Sequence, residues 1–412
     1  MPNNPASGGA TRRPGTPSLL RELNDRAALR LMLDGRPMTR AQLSELTGVS
    51  KVTTGQVLTR LTERGLVTAT GEQSGGRGPN ATLYAAVPSS AYVAALYVEL
   101  GLVHTAVADV TGTVIAEVRE PVPIGTTGNG AAEPIGLVRS AVDRACARAG
   151  ISVERLSAFV IGSPGVVDPR SGDPLMTFNL PEWHEGVLEG LRGALRKPVL
   201  IENDVNLAAI AERSAGAATG TDDFALLWAG TGVGLATMLG GRLHRGISGA
   251  AGEIGWLPVP GAPLTPDVRV PSGGGLQWLA GAGAVIRLAG EHGIGGSTAA
   301  EVVRAAVTEL SSLTDGGSSP ASEFLDELAR RLALGVTAVC AVLDPGLVVL
   351  GGETGLAGGD ALASRVGEKA AAMSPFPPRV VATEVPDKPV LRGALLTAVD
   401  QARDAILASV GE

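Results

Sequence analysis

The apolar positions near the start of the chain recur at helical spacing. Leu20, Leu23, Ala27 and Leu31 fall three and four residues apart, which predicts an amphipathic helix closed by Gly35 and Pro37. Thr39 to Thr47 begins on a capping residue and sets Leu43 and Leu46 on one face. Gly48-Val49 predicts a tight turn. Ser50 then caps a third helix reaching about Arg64, with Val57, Leu58 and Leu61 inward. Helix, Gly-containing turn, helix at this length predicts a helix-turn-helix. Two strands follow, Leu66 to Thr70 and Ala81 to Val87, around the Gly-rich loop Gly71 to Asn80. Such a hairpin makes a wing, so residues 18–88 read as a winged helix-turn-helix behind a flexible arm, Met1 to Pro17.

From about Ala91 the pattern turns to short apolar runs alternating with helices, which predicts an α/β body over residues 89–412. Strands are expected at Tyr92 to Val98, Val103 to Asp109, Thr113 to Val118, Ser157 to Ile161, Pro198 to Ile201, Phe224 to Trp228 and Leu347 to Leu350, with a helix from about Glu133 to Ala149. Several of these strands run into glycine or acidic loops: Gly162-Ser163-Pro164-Gly165, Glu202-Asn203-Asp204, Gly230-Thr231-Gly232-Val233-Gly234 and Gly351-Gly352. Ligands of α/β sheets gather at such strand ends.

Charge sharpens the division. The net charge of −7 argues against nucleic acid for the chain as a whole. Residues 1–88, however, hold 11 Lys and Arg against 6 Asp and Glu, while the rest holds 23 against 35. A basic head on an acidic body is expected where one part alone meets phosphate. Aromatics make up only 3% of the chain, so its cores must be aliphatic. Cys146 and Cys340 lie far apart and fit reduced, buried thiols. Neither an apolar span nor the apolar centre of a signal peptide appears, so a cytoplasmic protein is expected.

The head has the chemistry to read DNA. Lys51, Thr53, Thr54 and Gln56 fall on the first turns of the third helix, where side chains reach base edges in a major groove. Arg60 and Arg64 lie further along, within reach of phosphates. Arg77, in Gly-Gly-Arg-Gly-Pro, is small-flanked and positive, suited to a narrow minor groove.

The ordered set of motifs resembles the ROK family of repressors and sugar kinases, its repressor branch in particular, from about Leu20 to the end. The matching pieces include Gly162 to Asp168, Asn179-Leu180-Pro181-Glu182-Trp183, Glu202 to Asn206, Gly230 to Gly234, Gly249-Ala250-Ala251-Gly252-Glu253-Ile254-Gly255 and Arg392-Gly393-Ala394. The resemblance implies a winged helix-turn-helix followed by a two-lobed sugar-kinase-like domain of the actin/hexokinase type. It makes Asp204 the counterpart of a kinase's catalytic base and Asn179, Asn203 and Glu253 counterparts of sugar-binding residues.

Three departures bear on function. Where kinases of the family carry Asp-x-Gly-Gly-Thr, this chain reads Val98-Glu99-Leu100-Gly101-Leu102-Val103-His104, with bulky side chains where backbone should approach ATP phosphates. Trp256 stands at the family's zinc-binding His, and Leu257 to Ala280 contains neither Cys nor His. Tetrahedral zinc needs about four such ligands, so no metal is expected. Gln277 stands at a second sugar-binding Glu. Trp256 can stack on a sugar or simply pack. The expectation is a regulator without cofactor or catalytic residues, usually a repressor, binding operator DNA as a homodimer or homotetramer and sensing a sugar or derivative. A sugar kinase with a DNA-binding head, or a DNA-binding protein without effector, are the other readings.

Overall fold

The computed structural model describes residues 17–74, 80–99, 101–121, 134–176, 186–265, 267, 273–312 and 319–410. The chain divides into two compact units. The first comprises the described parts of Met1–Tyr92, Ala108–Thr113 and Val399–Glu412; the second comprises Val93–Val107 and the described parts of Val114–Ala398. The arm expected at Met1 to Pro17 lies, but for Pro17, outside the described residues.

The first unit opens with α1 (Pro17–Leu33), β1 (Met38–Thr39), α2 (Arg40–Thr47) and α3 (Lys51–Glu63), then β2 (Val67–Gln73) and β3 (Ala81–Ala86). The three strands form one antiparallel sheet in the order β1-β3-β2. The helix boundaries follow from capping. Thr39 accepts from the Gln42 amide while the Gln42 side chain accepts from Thr39, a reciprocal box at the start of α2. Gly48 ends that helix at φ 68°, a left-handed conformation that glycine adopts without penalty. Ser50 then caps α3 by accepting from the Thr53 amide at 3.2 Å.

The unit's core corrects the expected stripe on α1. Leu20 and Leu23 are 57% and 50% exposed, and the buried face carries Asp25, Ala28, Leu29, Met32 and Leu33. Leu46 of α2 also faces solvent, while Leu43, Val57, Leu58 and Leu61 are buried as expected. The end of the chain completes this unit. Arg26 donates to the carbonyls of Leu407 and Ala408, and Arg64 to those of Ser409 and Val410. These are the terminal carbonyls of a helix and the residue after it, groups that have no intrahelical donor. Arg403 donates to Leu33 O, Val110 O and Thr111 O at 2.6–3.3 Å. The first unit thus takes in Ala108–Thr113 and the described residues from Val399 onward besides those up to Tyr92.

The second unit runs through β4 (Tyr92–Glu99), β5 (Leu102–Asp109), β6 (Val114–Pro121), α4 (Pro134–Arg148), β7 (Leu156–Ser163), β8 (Val166–Val167), β9 (Pro174–Met176), α5 (Val187–Leu195), β10 (Val199–Asn203) and α6 (Asp204–Ala215). It continues with β11 (Phe224–Ala229), β12 (Val233–Leu239), β13 (Arg242–Leu243), α7 (Gly275–Ala280), α8 (Ala282–Glu291), α9 (Ala299–Ser312), α10 (Pro320–Leu343), β14 (Leu347–Gly351), α11 (Gly352–Met373), β15 (Arg379–Ala382) and α12 (Pro389–Ser409). The last of these helices carries the residues from Val399 onward that belong to the first unit.

Two five-stranded sheets organise it, β10-β7-β4-β5-β6 and β13-β12-β11-β14-β15. In both, parallel pairing sits beside antiparallel hairpins: β7 pairs in parallel with β10, and β11 and β15 with β14. The predicted strands all form. Against the second sheet α7 to α11 bury a core of alanine, valine and leucine that includes the fully buried Phe324. Strand β10 ends in Asn203 and turns directly into α6, which places Asp204 at a helix N-terminus beside the sheet ends.

Candidate nucleic-acid interface and ligand site

The inward face of α3 fixes its roll, and the roll decides which residues meet DNA. Thr54, Val57, Leu58 and Leu61 are buried. Thr54, expected among the base-reading residues, is 2% exposed, and its hydroxyl donates to Ser50 O at 3.0 Å. That side chain secures the helix start. Lys51 and Gln56 face solvent, Thr53 is half-buried beside Ser50, and Val52 and Thr59 are exposed on the same side.

Arg60 also has work inside the fold. It donates twice to Asp25 of α1, at 2.9 and 2.5 Å, and Asp25 is itself buried. The guanidinium is held charged chiefly by those hydrogen bonds. Arg64, bound to helix carbonyls, is likewise committed within the unit. Arg77 lies outside the described residues.

Arg40 went unnoticed in the sequence. It begins α2, is exposed, and its guanidinium nitrogen lies 3.6 Å from where a Cβ on Gly55 would stand. No hydrogen bond or ion pair holds it among the described residues. The first helix of a helix-turn-helix crosses the phosphate backbone, so Arg40 is suited to the contact expected of Arg60. Its signal was its place one residue after a cap.

In the second unit the candidate ligand residues converge unevenly. Asp204 keeps a little surface, yet its carboxyl is pushed up to about 7, first by burial and then by the like charges of Glu353 and Glu253. Glu253 is raised by burial, opposed by a hydrogen bond from the Trp256 side chain. Trp256 thus acts as a donor to Glu253, a role that neither stacking nor plain packing anticipates. The glycines around Glu253 are sterically required. A Cβ on Gly249 would stand 1.9 Å from Val167 O, and one on Gly252 1.9 Å from Leu235 O.

Asn203 and Gln277 are occupied with backbone. Asn203 caps α6 by accepting from the Asn206 amide at 3.0 Å and donates to Gly165 O at 2.8 Å. Gln277 accepts from the Val233 amide at 2.8 Å and donates to Thr231 O at 3.3 Å, so both ends of its amide brace the glycine loop. The residue expected to contact sugar thus holds the glycine loop through both ends of its amide. Asn179 lies outside the described residues.

Two features escaped sequence reading. Glu202, 4% exposed, accepts from the Asn203 amide, the Asn206 side chain and the partly exposed Arg245, so a buried carboxylate supports the Asp204 turn. Glu353, at the start of α11, lies against the glycine loop: a Cβ on Gly230 would stand 2.1 Å from its carboxylate and 2.8 Å from the Trp228 indole nitrogen. Tyr97, Trp228, Glu353 and the first turn of α12 line a cavity of about 280 Å³ at this place.

Residues 99–401 match the ROK family, and residues 24–78 match the MarR family. The chain belongs to the ROK family. It is 24% identical to the DNA-binding transcriptional dual regulator NagC of Escherichia coli K12, over 82% of each chain. It is 25% identical to the xylose repressor of Caldicellulosiruptor bescii, over 58% of this chain and 60% of that one. A ROK family transcriptional regulator, a homolog of the E. coli MLC protein, superposes with a TM-score of 0.73 over 95% of this chain and 99% of its own, at 17% identity. The ROK hexokinase from Thermus thermophilus superposes with a TM-score of 0.59 over 76% and 99%, at 29% identity.

Within this ROK body the zinc-loop chemistry does not fit a metal. Residues 257–280 contain neither Cys nor His, and Trp256 cannot ligate zinc. Among the described residues no group of three or more His, Cys, Asp and Glu is arranged to hold an ion, and no helix is long and apolar enough to cross a membrane.

Proposed function

We propose that this ROK protein is a sugar-responsive transcriptional repressor of the cytoplasm whose kinase-like body binds a carbohydrate and does not phosphorylate it. The observation that carries the second half is Glu353. The glycine of a phosphate-approaching loop is useful because backbone can come close to an anion. At Gly230 the space belongs to a carboxylate of the protein itself. A phosphate there meets like charge, and the sequence after β4 has a single glycine, Gly101, followed by Leu102, Val103 and His104, which bring side chains where backbone should approach phosphate.

The sugar site retains Asp204 and Glu253. An ionised Asp204 accepts from a sugar hydroxyl, and so does Glu253, held by Trp256. The like charges of Glu353 and Glu253 on Asp204 disfavour a further negative charge beside it, which favours an unphosphorylated sugar there. Binding changes operator affinity only if the sugar prefers one of two arrangements of the protein. Paired half-sites on the operator call for a homodimer or homotetramer.

A titration with labelled operator tests this. Asp204→Ala is expected to abolish the sugar's effect on DNA affinity while DNA affinity without sugar stays within about twofold. Loss of DNA binding in that variant argues against a sensing role. The kinase reading has one observation in its favour: a carboxyl near pH 7 suits a general base. Sugar-dependent release of ADP by purified protein at ordinary enzyme rates would establish it and sink the sensor.

A further inference from the structure

We propose that Val52 reads the 5-methyl group of a thymine in the operator, within about two base pairs of an adenine read by Gln56. The inference rests on the DNA-binding role of the first unit and adds a specificity residue that sequence reading passed over.

The position comes from the helix roll. With Thr54, Val57, Leu58 and Leu61 inward, the opposite face of α3 is Val52, Gln56 and Thr59, spaced i, i+4 and i+7. Val52 is 75% exposed, the most exposed large apolar side chain on the two helices of the motif. A β-branched residue on a solvated helix face is a poor choice for the helix itself, since it loses side-chain freedom and buries nothing. Its neighbours one turn further along the helix are Gly55 and Gln56. Gly55 itself adds no side chain, the Arg40 guanidinium lies over it, and Gln56 sets an amide on the same face as Val52.

Base chemistry completes the assignment. In the major groove thymine alone among the four bases presents a methyl group, and apolar side chains contact it; glutamine suits adenine through N6 and N7. Val52 and Gln56 are four residues apart, about 6 Å along the helix. With bases stacked at about 3.4 Å, that separation spans roughly two base pairs.

The test uses the full chain. Selection from a randomised duplex library gives the operator, and each thymine in a half-site is then replaced singly by uracil, which removes the methyl and leaves the protein untouched. The expected result is one thymine whose replacement weakens wild type about fourfold, the value of one methyl group kept from water. The same replacement leaves Val52→Ala unaffected, and Gln56→Ala relaxes the preference for adenine two positions or fewer away. Wild type indifferent to uracil everywhere overturns the proposal, as does full uracil sensitivity in Val52→Ala. Selection that enriches no sequence would remove the DNA-binding reading beneath it, an outcome separate from the uracil result.

Discussion

The two units use charge in opposite ways. In the DNA-binding unit, arginines that look ready for phosphate are spent on the fold: Arg60 on Asp25, Arg26 and Arg64 on the carbonyls at the end of the chain, Arg403 on three carbonyls from two segments. Arg60 meets a buried carboxylate, and the other arginines meet carbonyls at a helix end or in loops. In the body, carboxylates are gathered instead: Glu253 and Glu353 each raise Asp204. A small unit with little core gains from satisfying every buried polar group. A binding site gains from holding groups that are under-satisfied until a ligand arrives. Basic residues near a DNA-binding helix are therefore weak evidence of contact with DNA until their partners are known.

The largest expected effect that would break this contrast is at Arg60. Its side chain is about a third exposed and Asp25 is nearly buried, so Arg60→Ala strands a buried carboxylate. After allowing for solvent at the arginine, the cost is about 2–3 kcal/mol. Thermal unfolding should show a clear fall in the melting temperature. If Arg60 instead served phosphate, stability would hold and the salt dependence of DNA affinity would drop by about one unit of slope.

The body's counterpart is pH dependence. Asp204 titrates near 7 when folded, against about 3.9 for an unfolded aspartate. The folded state therefore holds the proton more tightly, and stability falls as pH rises from about 4 to about 7, then levels off. Asp204→Asn removes the charge and should flatten that profile, gaining up to a few kcal/mol over wild type at pH 8. Equal slopes in the two proteins would show that neither burial nor the neighbouring carboxylates raise Asp204. Wild-type sugar affinity should rise across the same interval as the carboxylate forms.

A smaller effect sharpens the contrast within the body. Gln277→Ala removes two hydrogen bonds to the glycine loop and should cost about 1–2 kcal/mol. Calorimetry should find sugar affinity within about twofold of wild type. A tenfold loss would return Gln277 to the ligand.

Much of the fold was written in the chain. The caps at Thr39 and Ser50, the turn at Gly48 and the strands of the body form where local pattern places them, because capping, left-handed glycines and short apolar runs are properties of a few consecutive residues. The stripe on α1 was misplaced by one turn position, Leu20 and Leu23 giving way to Leu29, Met32 and Leu33. Helical spacing alone fits both faces, and the choice falls to the helices and the chain terminus that dock there. Glu253 and Asp204 were legible through motif order. The brace at Gln277, the cap at Asn203 and the carboxylate of Glu353 on Gly230 were not.

The sequence by itself determined the two architectures, the basic head and acidic body, and the positions of the candidate carboxylates Asp204 and Glu253. Only the tertiary structure decided which polar side chains remain available for a ligand or for DNA. Residues such as Asp25 and Arg60, or Gly230 and Glu353, are far apart in the chain, and hydrogen bonds between them depend on distances that no local pattern encodes.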